Sequence, residues 1–215
     1  MILISHRANN PGYKENTLSA IRAVQKYSPE IIEIDIRLTK DKILVLHHDA
    51  LYKKVPFRLI KKANKSKLSE NIPTLKEVLN EFPKQKFHLD LKENCVKELL
   101  PIIKGRESKI IVSSYNAGVL NKIKTLNPKI ETKLNNCGNG IDPVKRALKI
   151  KATGIHVYYR VATSKLIKRA HKHNLLVCAW TVNSEKDLFN LISKGVDGII
   201  TDRIDKFSKI FKEDE

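Results

Sequence analysis

Only three cysteines occur among the 215 residues, Cys95, Cys137 and Cys178, and none is spaced from another as a zinc site requires. They read as buried or free thiols in a reducing compartment. No stretch approaches the roughly 18 consecutive apolar residues of a membrane span. The four-residue apolar run of the opening MILISHR has no basic segment before it and is too short for a secretory signal. A cytoplasmic protein with no transmembrane segment is expected. Internal repeats, low-complexity tracts and linkers are missing as well, so one domain over residues 1–215 is the economical reading.

Acidic residues are the scarce charge, with 23 Asp and Glu against 41 Lys and Arg, a formal net charge of +18. Such an excess fits nucleic acid, an anionic surface or an anionic substrate. It is spread along both halves of the chain and forms no basic tail. Its one concentration is Lys53, Lys54, Arg58, Lys61, Lys62, Lys65 and Lys67, a run with no acid and no interleaved aromatics for stacking bases. A solvated loop face is the plain interpretation of that run. No nucleic-acid partner is expected, and peripheral contact with an anionic membrane is compatible with the charge.

What the chain does hold is alternation. Short β-branched runs near Ile2–Ser5, Ile31–Arg37, Phe87–Leu91, Ile110–Ser113, Ile130–Leu134, Thr153–Val157, Leu176–Trp180 and Gly198–Thr201 alternate with amphipathic stretches such as Thr17–Tyr27, Ala117–Leu126 and Ser184–Lys194. Eight β/α units predict a (β/α)8 TIM barrel, although a doubly wound sheet would alternate similarly. An extra strand, Lys42–His47, is expected to hairpin onto the second through Lys40-Asp41.

Barrel enzymes build their sites at the carboxyl ends of the strands. In Ile32-Glu33-Ile34-Asp35-Ile36 the two-residue period puts both acids on one face, predicted to be the interior, and the isoleucines on the other. Leu89-Asp90-Leu91-Lys92 repeats the arrangement. Three confined carboxylates repel one another unless a cation lies between them, and oxygen ligands suit Mg2+ or Ca2+, with Mn2+ an alternative. The competing interpretation pairs the acids with Arg7, Arg37 and Lys92 as interior salt bridges. His6-Arg7 and His48-Asp49 bring two acid/base candidates and a phosphate-binding guanidinium to the same end. His47 is expected to face away.

These residues are similar to the glycerophosphodiester phosphodiesterase family. The resemblance rests on His6-Arg7 with Glu15-Asn16-Thr17, Glu33-x-Asp35 with Thr39-x-Asp41, and Val45-x-x-His48-Asp49. It continues through Pro73-x-Leu75, Asp90-x-Lys92, Ser114-Tyr115-Asn116, Trp180-Thr181-Val182-Asn183 and Val196 to Asp202, in order along nearly the whole chain. It implies a TIM barrel that hydrolyses glycerophosphodiesters to glycerol phosphate and an alcohol. By that likeness Glu33, Asp35 and Asp90 hold a divalent cation, His6 and His48 form the acid/base pair, and Arg7 and Lys92 contact phosphate. Glu15, Asn16 and Asp49 support the site. Trp180, at a strand end, is expected either to offer an apolar wall to the glycerol carbons or to pack in the core. Three departures stand out: Ala8 where the family has glycine, Asp90 where it has glutamate, and a short basic insertion at 50–72. Two alternatives remain at this level, a phospholipase D-like lipid phosphodiesterase of the same barrel type and a non-catalytic basic barrel. A monomer or a homodimer would serve either chemistry.

Overall fold

The structure, a computed structural model, describes residues 1–53, 58–136, 138 and 140–212. Eight parallel strands close into a barrel: β1 (Ile2–Ser5), β2 (Ile31–Leu38), β6 (Lys86–Leu91), β7 (Ile110–Ser114), β8 (Glu131–Asn136), β9 (Gly154–Tyr158), β10 (Leu176–Trp180) and β11 (Gly198–Thr201). Closure is made by β1, which pairs with β11 on one side and, through Ile4 and Ser5, with Ile31 and Ile32 on the other. The TIM barrel expected from the alternation is thus what the chain forms.

β2 runs past the end of β1, and the projecting half takes a different partner. There β3 (Leu44–Leu46) pairs antiparallel, with Ile36 opposite Leu46 and Leu38 opposite Leu44, as the Lys40-Asp41 turn predicts. A small second sheet follows, β4 (Leu51–Lys53) with β5 (Arg58–Leu59). The 50–72 segment buries Ile60, Leu68 and Ile72 against Val45 of β3. Lys54 of the basic run lies outside the described residues, as does Cys137.

Helices α1 (Leu18–Val24), α2 (Leu75–Glu81), α3 (Val96–Ile103), α4 (Ala117–Leu126), α5 (Pro143–Lys149), α6 (Ser164–His171), α7 (Glu185–Ser193) and α8 (Ile204–Lys212) follow strands in turn. Most start at side-chain caps. Thr17, Asn116, Asp142, Thr163 and Ser184 each accept from backbone N–H groups of the first turn, and Thr74 with Glu77 forms a reciprocal capping box. A cap of this kind contributes roughly 1 kcal/mol and lets a helix begin within a few residues of its strand. The β-to-α connections stay short as a result, and the strand ends they join are fixed. No helix among the described residues is long and apolar enough to cross a membrane.

The alternation in β2 resolves as expected. Ile32, Ile34 and Ile36 are wholly buried in the layer between barrel and helices, and Glu33 and Asp35 point inward. Burying an isoleucine contributes roughly 1.5–3 kcal/mol, so the apolar face anchors a strand whose other face is polar. Inside the barrel, Ile4, Ile31, Ile111, Cys178 and Ile200 form a smaller apolar cluster.

Candidate active site

A cavity of about 110 Å3 opens at the carboxyl ends of the strands, lined by His6, Arg7, Glu33, Asp35, His48 and Asp90 along with Lys92 and Trp180. Every residue expected to carry chemistry is therefore in one place. Glu15, Asn16 and Asp49 stand behind the lining and hold it. None of the described residues of the 50–72 segment lines the cavity, whose walls come from the strand ends and the β3 hairpin. Arg58, Lys62 and Lys67 instead line a separate cleft with Lys40 and Tyr52.

The register sets Asp35 beside Asp90, and one oxygen from each of Glu33, Asp35 and Asp90 lies within 4.8 Å of the others. The three are not equivalent. Asp35 is gripped by Lys92 Nζ at 2.7 Å, Arg7 Nε at 3.2 Å and Asn16 Nδ2 at 2.8 Å. Asp90 accepts from Ser113 Oγ at 2.8 Å and Asn135 Nδ2 at 2.7 Å, and Lys92 Nζ bridges it to Asp35. Among the described residues Glu33 accepts only from the Arg7 backbone N–H, at 2.9 Å. Burial raises a carboxyl's pKa, but Lys92 and Arg7 outweigh it at Asp35 and hold that group below the usual carboxylate range. At Glu33 burial and the neighbouring Asp35 charge act together and push the carboxyl up to about 8. The two readings of the acids thus coexist: Arg7 and Lys92 satisfy Asp35 and Asp90, and the repulsion collects on Glu33. Arg37 pairs with Glu93 and takes no part in the cluster.

His6 follows β1 on a tight turn in which Arg7 and Ala8 both adopt φ of 53°. The left-handed conformation costs roughly 1–2 kcal/mol for a residue with a Cβ. Ala8 therefore keeps the conformation that glycine would take freely, and the turn aims the Arg7 N–H at Glu33. His6 Nδ1 lies 2.7 Å from Asp202 Oδ1. Burial lowers the imidazole pKa, yet the Asp202 bond and the charge of Glu33 prevail and raise it. His48, at the end of the β3 hairpin, sets Nδ1 2.9 Å from Asp49 Oδ1, and its carbonyl accepts from Arg37 Nε and Nη2 at 3.0 and 2.7 Å. Both histidines spend Nδ1 on a carboxylate, leaving Nε2 for chemistry. His47 turns its Nδ1 to the Asp49 carbonyl and does not line the cavity.

On the far wall Trp180 packs against Tyr158 and Tyr115, with ring centroids 5.7 and 6.3 Å away. Beneath the acids His88 and His156 meet edge to face at 4.6 Å. Neither nitrogen of His88 has a hydrogen-bond partner among the described residues, and burial pushes its pKa down to about 4. A histidine neutral in the fold but protonated when unfolded gives stability that is complete above its ordinary value of 6.5 and is lost as pH falls to about 4. His88→Leu should consequently gain on the parent in thermal melts across that window, by at most about 1.4 kcal/mol per pH unit. A constant difference between the two from pH 7.5 to 4 would refute this account.

A family model described as the glycerophosphoryl diester phosphodiesterase family matches residues 6–206. The chain belongs to that family. Among curated relatives, glycerophosphodiester phosphodiesterases of Caldanaerobacter subterraneus subsp. tengcongensis and Bacillus altitudinis are each 29% identical. They align over 94% and 98% of this chain and 93% and 98% of their own lengths. The solved glycerophosphodiester phosphodiesterase of Thermotoga maritima superposes with a TM-score of 0.87 at 26% identity, covering 98% of both chains. A phosphodiesterase of Oleispira antarctica, solved with the product sn-glycerol-3-phosphate, superposes with a TM-score of 0.90 at 22% identity over 99% of this chain and 97% of its own. Asp202 stands in the sequence only as the last residue of the Val196 to Asp202 match, with no role expected of it. Ser113 and Asn135, which hold Asp90, and the buried His88 and His156 were likewise not among the expected site residues.

Proposed function

We propose that the chain hydrolyses glycerophosphodiesters to glycerol phosphate and an alcohol, with His6 and His48 as the acid/base pair and a divalent cation held by Glu33, Asp35 and Asp90. The observation that carries this reading is the convergence of three carboxylates, two carboxylate-backed imidazoles and two cationic side chains on one cavity. The acidic set fits a hard cation because it is all oxygen and because Glu33, a buried carboxyl, has a single hydrogen-bond partner among the described residues. When bound, such an ion supplies positive charge against the phosphate and favours ionised Glu33.

The remaining work falls to this chain's own groups. Hydrolysis of a phosphodiester needs charge neutralisation and proton transfer on both sides of phosphorus. Lys92 has three N–H donors, two of them engaged by Asp35 and Asp90, so one remains for a phosphate oxygen. Arg7 brings a second cation to the cavity. One imidazole Nε2 takes the proton of the attacking hydroxyl and the other gives a proton to the departing oxygen. Trp180 and Tyr158 face the carbon skeleton with apolar surface.

The deciding measurement is product release from a panel of glycerophosphodiesters with Mg2+, Ca2+ or Mn2+ and with chelator. Ion-dependent glycerol phosphate is expected. Cyclic phosphate from a lysolipid in its place identifies the lipid-cleaving alternative, and release of neither removes the hydrolase reading.

A further inference from the structure

Asp202 follows β11, and among the described residues every partner of its carboxylate apart from His6 is a neutral amide. Asn183 Nδ2 donates to Oδ2 at 2.7 Å, Asn9 Nδ2 donates to Oδ1 at 3.3 Å, and the Asp202 N–H donates to Asn183 Oδ1 at 2.9 Å. These residues come from the loops after β10, β11 and β1, three strands side by side in the barrel. Among the described residues no lysine or arginine pairs with Asp202. Arg203, next in the chain, turns its guanidinium to Asp205 at 3.1 Å. A carboxylate paired to a cation has its charge cancelled there, whereas one held by amides stays ionised and exerts that charge on the one titratable group it touches. Burial works against ionisation, but the bonds from His6 and the two asparagines keep Asp202 down at about 2.

We propose that Asp202 is the positioning residue of His6, fixing the ring with its proton on Nδ1 and Nε2 toward the cavity, while Asn183 and Asn9 fix Asp202. The proposal rests on the acid/base assignment of His6. An ionised carboxylate can only accept, so it admits the Nδ1–H tautomer and excludes the other. It also steadies the imidazolium when Nε2 carries a proton.

Asp202→Asn tests this with little change of shape. Asn183 Nδ2 still needs an acceptor, and its own orientation is held by the Asp202 N–H, so the new amide oxygen turns to Asn183. The NH2 then faces Asn9, whose amide reverses to accept from it, and His6, which must accept at Nδ1 and carry its proton on Nε2. Three results are expected. Nitrogen NMR of the His6 ring shows the proton moving from Nδ1 to Nε2. kcat falls about 10²-fold or more, a loss of the kind caused by a wrong tautomer, with KM nearly constant. In a His6→Ala background the same substitution changes the residual rate less than about 2-fold, since the ring it acts through is gone. Equal losses in both backgrounds, or an unaltered tautomer, would overturn the proposal. If Asp202→Asn fails to fold, Asn183→Ala withdraws one donor and should lower kcat about 10-fold in the parent alone. Absence of hydrolysis by the parent condemns the hydrolase reading, and the tautomer measurement still judges this one.

Discussion

Glu33→Gln is expected to abolish ion-dependent turnover, by more than the 10- to 100-fold typical of groups that merely support a metal ligand. A neutral amide forfeits most of the attraction that holds a hard cation. The protein should remain folded, because glutamine is close in shape to the protonated carboxyl that burial and Asp35 favour at this position. Two further measurements bear on it. With its carboxyl raised to about 8, Glu33 must release a proton to bind an ion, so ion affinity should rise from pH 6 to 8 in the parent and level out in the variant. Without the ion, parental stability should fall as pH climbs from about 4.5 toward 8, since the folded form binds the extra proton, and Glu33→Gln should flatten that slope. Asp35→Asn should also inactivate, but at a cost in stability. It leaves Arg7 and Lys92 short of a buried partner, and breaking such a pair costs about 3–5 kcal/mol. Full turnover in excess EDTA, or an active Glu33→Gln protein, would dispose of the metal assignment.

His6→Ala and His48→Ala should each lower kcat about 100-fold or more while substrate still binds, the scale expected of a positioned acid or base. His47→Ala is the internal control, as its ring is turned to the Asp49 carbonyl, outside the cavity. Its backbone N–H, which donates to the Asp35 carbonyl at 3.1 Å, survives the substitution, so activity should stay near that of the parent. A His47→Ala protein more impaired than His48→Ala would mean that the hairpin presents its residues to the cavity in a different order. The cost of losing His48 should resist repair by neighbours, since His48 Nδ1 is already engaged by Asp49 and Arg37 clamps its carbonyl from behind.

Much of this was visible in the sequence wherever function and periodicity coincide. Glu33 and Asp35 alternate with isoleucines, so strand geometry alone assigns them to one face, and the same parity carries Asp90. Asn135 escaped for a local reason. The run Leu134-Asn135-Asn136-Cys137-Gly138 has poor strand propensity and looks like a turn, yet β8 continues to Asn136 because β9 supplies the extension with ladder partners, His156 opposite Asn135 and Val157 opposite Asn136. Asp202 escaped because its partner is 196 residues away along the chain and nothing near it signals the pairing. The repulsion expected among the carboxylates is also unequally shared, with Glu33 raised while Lys92 and Arg7 hold Asp35 down. The sequence offers Lys92 either as a phosphate contact or as a salt-bridge partner of the acids, and the folded positions set it between Asp35 and Asp90.

The projecting half of β2 has a consequence for where this chain can change in length. Four separate segments take their position from that one strand. Arg7 donates its N–H to Glu33, Asn16 exchanges two bonds with Asp35, His47 donates to the Asp35 carbonyl, and the Lys92 N–H donates to the Ile36 carbonyl at 3.1 Å. One residue inserted just before Glu33 would shift the strand beyond it by a half-period, sending both carboxylates into the helix layer and Ile34 and Ile36 into the cavity. The same insertion in the turn at Lys40-Asp41 would lengthen only a loop, with the ladder from Ile36–Leu46 to Leu38–Leu44 free to keep its register. Relatives that differ in length should accordingly carry their extra residues in that turn or beyond Asp49, and keep the spacing from Ile31 to Leu38 unchanged.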